Sequence, residues 1–120
     1  MKTLTKAEEQ VMQVLWNLQK AFLRTIVDAM PLPRPHQNTV ATILKILVEK
    51  GFVNISVVGR QHQYTPAITK EAYSKSSLKS LVKSYFDGSV LSALSFMVKE
   101  NNVSVQDLET LMQQLKKEKK

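Results

Sequence analysis

Between positions 37 and 45 the chain carries Gln37, Asn38, Thr39, Ala41, Thr42 and Lys45. At helical spacing, Gln37, Asn38, Ala41, Thr42 and Lys45 share one face and Thr39 lies near its edge. These side chains are short, polar and mostly uncharged. They suit hydrogen bonding to an extended array of donors and acceptors, with the helix backbone held close to it. Arg60 and His62 follow in a second polar segment. No catalytic set stands beside them. The sequence has no Cys, which excludes a thiol nucleophile, a disulfide framework and a thiolate metal site. Its two His residues, His36 and His62, are too few for a His-based metal centre. Neither a Gly-rich phosphate loop nor a Ser/His/Asp arrangement at informative spacing is present. The expectation is a binding protein, not an enzyme, with no metal and no cofactor.

Charge points to the ligand class. The 120 residues include 17 Lys+Arg and 10 Asp+Glu, for a formal net charge of +7. Residues 1–70 hold nine of the basic and four of the acidic side chains, so the excess lies mainly in the first part. A basic balance of this kind favours polyanions, nucleic acid or a membrane surface. No apolar signal-peptide core opens the chain and no apolar run reaches the roughly 20 residues of a membrane span. Cytoplasmic residence is the expectation. Apolar residues make up 43% and charged residues 22%, which predicts a folded domain and not a disordered chain.

The elements that must carry these residues can be read in order. Thr5-Lys6-Ala7-Glu8 has the form of a capping box. Ala7, Val11, Leu15 and Leu18, widened by Met12 and Trp16, predict a helix over about 6–18 with Trp16 in the core. Leu23 to Met30 predicts a short second helix, stopped by Pro31, Pro33 and Pro35. Val40, Ile43, Leu44 and Leu47 form the stripe of a third helix over about 37–50, with His36 at its entry and Gly51 as its stop. Phe52 to Val58 alternates with period two, Gly59-Arg60 is a turn, and Gln61 to Thr65 returns to Pro66. This predicts a two-stranded hairpin with a basic tip.

The remainder is helical. A fourth helix opens near Thr69 and carries Leu78, Leu81, Val82, Tyr85 and Phe86. Gly88 breaks it, and Ser89 caps a fifth helix with Val90, Leu91, Leu94, Met97 and Val98 on one side. Ser104 and Asp107 cap a sixth, with Val105, Leu108, Leu111, Met112 and Leu115 along it and a frayed end at Lys116–Lys120. Three amphipathic helices of about 50 residues make a poor core alone, so burial against a second copy is expected.

The predicted fold class is therefore mainly α with a small β-hairpin wing: a winged helix-turn-helix over 1–69 and a helical dimerisation region over 70–120. Helix three would enter the major groove, which admits one α-helix, and Arg60 would reach the backbone or the minor groove. The expected contacts are Gln37, Asn38, Thr39, Ala41, Thr42, Lys45, Arg60 and His62. The expected dimer face is Leu78, Leu81, Val82, Tyr85, Phe86, Leu91, Leu94, Leu108, Leu111, Met112 and Leu115. The alternative is a winged-helix module that docks a protein without specific DNA binding, for which large apolar side chains would be expected on helix three.

The segment from Ala7 to Trp16 resembles the opening of the penicillinase-repressor family of regulators. Asn38 to Leu44 and Leu47 to Val53 resemble that family's recognition-helix segment. Gly59-Arg60 and Tyr64-Thr65-Pro66 match its wing, and the likeness continues through Phe86-Asp87-Gly88-Ser89. The resemblance implies a homodimeric bacterial repressor on a palindromic double-stranded DNA operator. It also implies relief by cleavage in the dimerisation region through a membrane sensor metalloprotease encoded nearby, the cut falling near Ser95 and Phe96. Two departures stand out: Pro35-His36 replaces a Trp-Ser pair common in the family, and Ser95 stands where some members have Asn at the cut. The copper-responsive branch is rejected because its C-terminal Cys-x-Cys is missing.

Overall fold

The computed structural model describes residues 2–118. Its elements run α1 (Lys6–Leu18), β1 (Ala21–Phe22), α2 (Leu23–Ala29), α3 (Gln37–Glu49), β2 (Val53–Val58), β3 (Gln61–Pro66), α4 (Lys70–Tyr85), α5 (Val90–Glu100) and α6 (Val105–Glu118). The order is that of a winged helix followed by three helices, mainly α as the periodicity predicted. The chain divides into two units, residues 1–77 and 78–120.

In the first unit, α1 begins with the capping box. Thr5 Oγ1 accepts from the Glu8 N–H at 3.2 Å, and the Thr5 N–H donates to Glu8 Oε1 at 2.9 Å. The buried face differs from the predicted one at its margins. Val11, Met12 and Leu15 are fully enclosed and Val14 and Trp16 nearly so, while Ala7 and Leu18 lie exposed. Glu8, one turn before Met12, occupies the core face instead. Its carboxylate is tied to the Lys50 ammonium at 2.7 Å, joining the start of α1 to the end of α3.

Burial alone would raise the Glu8 pKa. The hydrogen bond from Lys50, the Thr5 backbone donor and the lysine charge more than offset it and hold the carboxyl below its ordinary value. A carboxyl lowered by folding contributes stability that is complete above its unfolded pKa and lost as pH falls through the folded one. Glu8→Gln should therefore cost about 1–3 kcal/mol near neutral pH. The gap from the wild type should shrink as pH drops below the usual carboxylate range. Urea melts of both proteins across an acid series measure it, and a gap that stayed constant would show that the charge contributes nothing.

α3 ends in a Schellman motif. Gly51 adopts φ +85°, its N–H donates to Val48 O at 3.0 Å, and the Phe52 N–H donates to Leu47 O at 2.9 Å. The chain thus turns into β2 with Phe52 driven into the core at 1% exposure. The strand accordingly starts at Val53, one residue later than its alternation suggested.

The sheet has three antiparallel strands in the order β1-β3-β2, where the sequence predicted two. Ala21 and Phe22 pair with Tyr64 and Gln63, so β3 is central. β2 and β3 run in register from Val53 opposite Pro66 to Val58 opposite Gln61. The two-residue loop places Gly59 at φ +63° in its first central position, which a type II′ hairpin gives to glycine. Only the base of the wing is enclosed. Val53 and Tyr64 are buried, whereas Ile55, Val57 and Val58 are exposed because the hairpin projects beyond the core.

The first two turns of α4 belong to this unit. Tyr73 sets its ring 5.9 Å from Trp16 and 5.8 Å from Phe52, edge-on to the latter. Its hydroxyl accepts from the Leu4 N–H at 3.4 Å and donates to Glu9 Oε1 at 3.3 Å. Trp16 Nε1 donates to Ile68 O at 2.8 Å. The first unit ends at Ser77, past the expected boundary at Thr69.

The second unit is built from the rest of α4 with α5 and α6. Ser89 Oγ accepts from the Ser92 N–H, and Ser104 and Asp107 cap each other reciprocally, as their spacing indicated. Val82 and Ala93 are buried. Phe86 and Leu108 are half-buried, and Phe86 meets the Phe96 ring at 5.7 Å. Leu78, Leu81, Tyr85, Leu91, Leu94, Leu111, Met112 and Leu115 are exposed. Val82 therefore differs from the other residues of the expected dimer face: its own chain encloses it. α6 continues through Lys116 and Lys117 to Glu118, so that part of the tail is helical and not frayed. Lys119 and Lys120 lie outside the described residues. Among the described residues no helix is long and apolar enough to cross a membrane.

Candidate nucleic-acid interface

α3 is positioned by its apolar stripe. Val40, Leu44 and Leu47 are fully buried, with Ile43 and Val48 partly so, packed against α1 and α2. That fixes which side faces outward. Asn38, Thr42, Lys45 and Glu49, at spacings of four, three and four, mark the middle of the exposed face. Gln37 and Thr39 are also exposed, while Ala41 is half-buried at the flank and is the least accessible of the expected contacts. His36 is the N-cap, its Nδ1 accepting from the Asn38 N–H at 3.2 Å. The Pro35-His36 pair thus still opens the helix, with an imidazole nitrogen in the role that a side-chain oxygen usually fills. Thr42 Oγ1 donates to Asn38 O at 3.0 Å and keeps its acceptor lone pairs for another donor.

The exposed face is polar at its N-terminal half and becomes acidic at Glu49. A phosphate-lined groove would accept Gln37 to Lys45 and repel the last turn, so the helix would enter by its start. Ile46, at 36% exposure, is the one large apolar side chain exposed on α3, too little for a protein-docking face.

The wing adds the second part. Leu23, Arg24, Gln37, Arg60, Gln61, His62 and Tyr64 line one concavity of about 420 Å³. Two of the predicted wing residues, Arg60 and His62, thus border the same hollow as the first residue of α3. His62 lies edge-on to Tyr64 with ring centres 6.4 Å apart. Burial raises the pKa of the Tyr64 hydroxyl, so it stays a neutral hydrogen-bonding group. Arg24 and Gln61 were not among the expected contacts. Arg24 lies on the short α2, whose sequence shows an ordinary charged surface residue. Folding brings it to the lining of the same hollow as Arg60.

Among the described residues no group of His, Asp or Glu is arranged to hold a metal ion. What the surface offers is hydrogen bonding and positive charge.

Known proteins resemble this chain in sequence and in fold. A Bacillus licheniformis penicillinase repressor is 24% identical over 117 residues, covering 97% of this chain and 91% of that protein. An uncharacterized 16.5 kDa protein of Latilactobacillus sakei is 26% identical over 113 residues, covering 93% and 77%. Among solved structures, Bordetella bronchiseptica BpsR, described for the regulation of its DNA binding by 6-hydroxynicotinic acid, aligns over 98% of this chain and 76% of its own. The TM-score is 0.50 and the identity 16%, a likeness of fold. The profile of the penicillinase repressor family matches residues 4–117, from the first buried leucine to the last turn of α6. On that match the chain belongs to the penicillinase repressor family and is a DNA-binding transcriptional repressor, not an enzyme.

Proposed function

We propose that this repressor acts as a homodimer on a palindromic operator, with Gln37, Asn38, Thr39, Thr42 and Lys45 of α3 in the major groove. Arg60 and His62 would contact the backbone or the adjacent minor groove, and Ala41 would pack at the edge. The observation that carries the reading is the shared surface of the polar start of α3 and the arginine-bearing wing, in a unit with a strong basic excess. Base contacts and phosphate contacts respond differently to substitution. Thr42→Ala or Lys45→Ala should cost about 1–3 kcal/mol if a direct base contact is lost, and should relax sequence preference. Arg60→Ala should weaken binding to all sequences and reduce the salt slope by about one unit. Gel-shift titrations on DNA from the chain's own upstream region, repeated over a salt series, test both. Unchanged operator binding by folded Thr42 and Lys45 variants would refute the contact map.

The dimer would form through the exposed apolar residues of α4, α5 and α6, notably Leu81, Tyr85, Leu94, Leu111 and Leu115. A membrane sensor metalloprotease is the proposed partner that ends repression, by cutting α5 near Ser95 and Phe96. Both residues are exposed, but they sit within a helix, so local opening must precede the cut. Mass spectrometry of protein recovered from induced cells should show two fragments meeting in α5. Relief of repression with every molecule intact would exclude this route.

A further inference from the structure

The two arginines of the wing concavity are not equivalent. Arg60 has no ion-pair partner among the described residues, whereas Arg24 Nε lies 3.5 Å from Asp28 Oδ1, one turn along α2. Both members of that pair are well exposed, at 79% and 60% of their side-chain surface. The hollow has a mixed lining: Arg24 and Arg60, with Gln37, Gln61 and His62 as hydrogen-bonding groups, and Leu23 with Tyr64 as its less exposed apolar part. At about 420 Å³ it exceeds what a phosphate alone would occupy. Two arginines and a less exposed apolar part match a sugar–phosphate unit, the anion on the guanidiniums and the deoxyribose over Leu23 and Tyr64.

We propose that this hollow seats one backbone sugar–phosphate, that Arg24 is one of its phosphate ligands, and that Asp28 restrains Arg24. The inference rests on the DNA-binding reading above and adds a determinant of affinity to it. The single Nε contact leaves the terminal nitrogens of Arg24 open to a phosphate, but the Asp28 carboxylate offsets the guanidinium's charge until it moves away. Exposed pairs of this kind are weak, so DNA can displace Asp28, but each binding event bears the loss. Asp28 thereby keeps the sequence-independent part of the affinity below what the fold allows. Specific and non-specific complexes share this phosphate contact, so Asp28 lowers both affinities alike and leaves their ratio unchanged.

The test is a double-mutant cycle on the full chain, read by gel shift on a short duplex of unrelated sequence across a salt series. Such a duplex isolates phosphate contacts. Arg24→Gln should lower affinity several-fold and reduce the salt slope by about 0.9 unit. Asp28→Asn should raise affinity about two- to fivefold, the range set by a weak exposed pair. In the Arg24→Gln background, Asp28→Asn should bring little or no gain. An equal gain in both backgrounds would overturn the proposal, since Asp28 would then act by simple repulsion of the duplex. No effect of Arg24→Gln would overturn it too. Circular dichroism of each variant establishes that α2 has not unravelled. Salt-dependent binding by the wild type with an additive cycle refutes this inference alone, whereas no salt-dependent binding by the wild type refutes the DNA reading with it.

Discussion

A chain ending after Ser77 should stay folded, run as a monomer, and bind the operator about 10²–10⁴-fold more weakly than the full chain. The folding half of this expectation follows from where the core lies. The buried cluster runs from Leu4 to Tyr64, and Ile68 and Tyr73 close over it, all before the cut. The affinity half follows from tethering. Two half-sites held by one dimer convert the second contact into an intramolecular event at high effective concentration, with no new contact needed. A cut after Thr69 should behave worse, because it removes Tyr73 from Trp16 and Phe52. Sedimentation velocity and gel-shift titration of the three lengths decide the matter. A full-length monomer, or equal operator affinity for both lengths, would remove the dimer from the mechanism.

Phe52→Ala should destabilise the winged helix by about 3–5 kcal/mol. Phe52 is among the largest fully buried side chains. It also follows Gly51 in the motif that ends α3, so its burial sets the angle at which the recognition helix hands over to the wing. Domains of this kind have total stabilities of about 5–15 kcal/mol, so the loss is a large share of the whole. A fall in the urea midpoint with DNA contacts left untouched in sequence would distinguish this from a direct effect at the interface. A loss below about 1 kcal/mol would mean that the site collapses around the truncation, since buried sites relax to different extents.

The long elements were legible in the sequence because periodicity and caps agreed. Thr5 with Glu8, Ser89, Ser104 with Asp107, and Gly51 each stand at a boundary the structure uses. What escaped was either short or dependent on tertiary contact. β1 has two residues, Ala21 and Phe22, too few to show a period, and it becomes a strand only because β3 runs beside it. Glu8 reads as a capping residue, and nothing local reveals that Lys50, 42 positions away, draws its carboxylate inside. Tyr73 reads as an ordinary member of α4, yet it packs on Trp16 and Phe52 in the first unit. The candidate interface was partly legible. The polar start of α3 and the basic wing tip stand out in sequence, but Arg24 joins them only through folding. Helical spacing groups Val82 with the dimer face, and spacing does not tell which apolar neighbours a chain buries in itself.

Trp16 is the only tryptophan in the chain, and the residue is 6% exposed. It touches Tyr73, donates to Ile68, and takes no part in the hollow between wing and recognition helix. Its emission is therefore an intrinsic optical gauge of the seam where the first turns of α4 rest on α1. Red-shifted light from this fluorophore reports that seam opening to water. A duplex seated on the wing changes it only by disturbing that seam, so a shift on adding DNA reports loosening of the domain and not occupancy of the DNA surface.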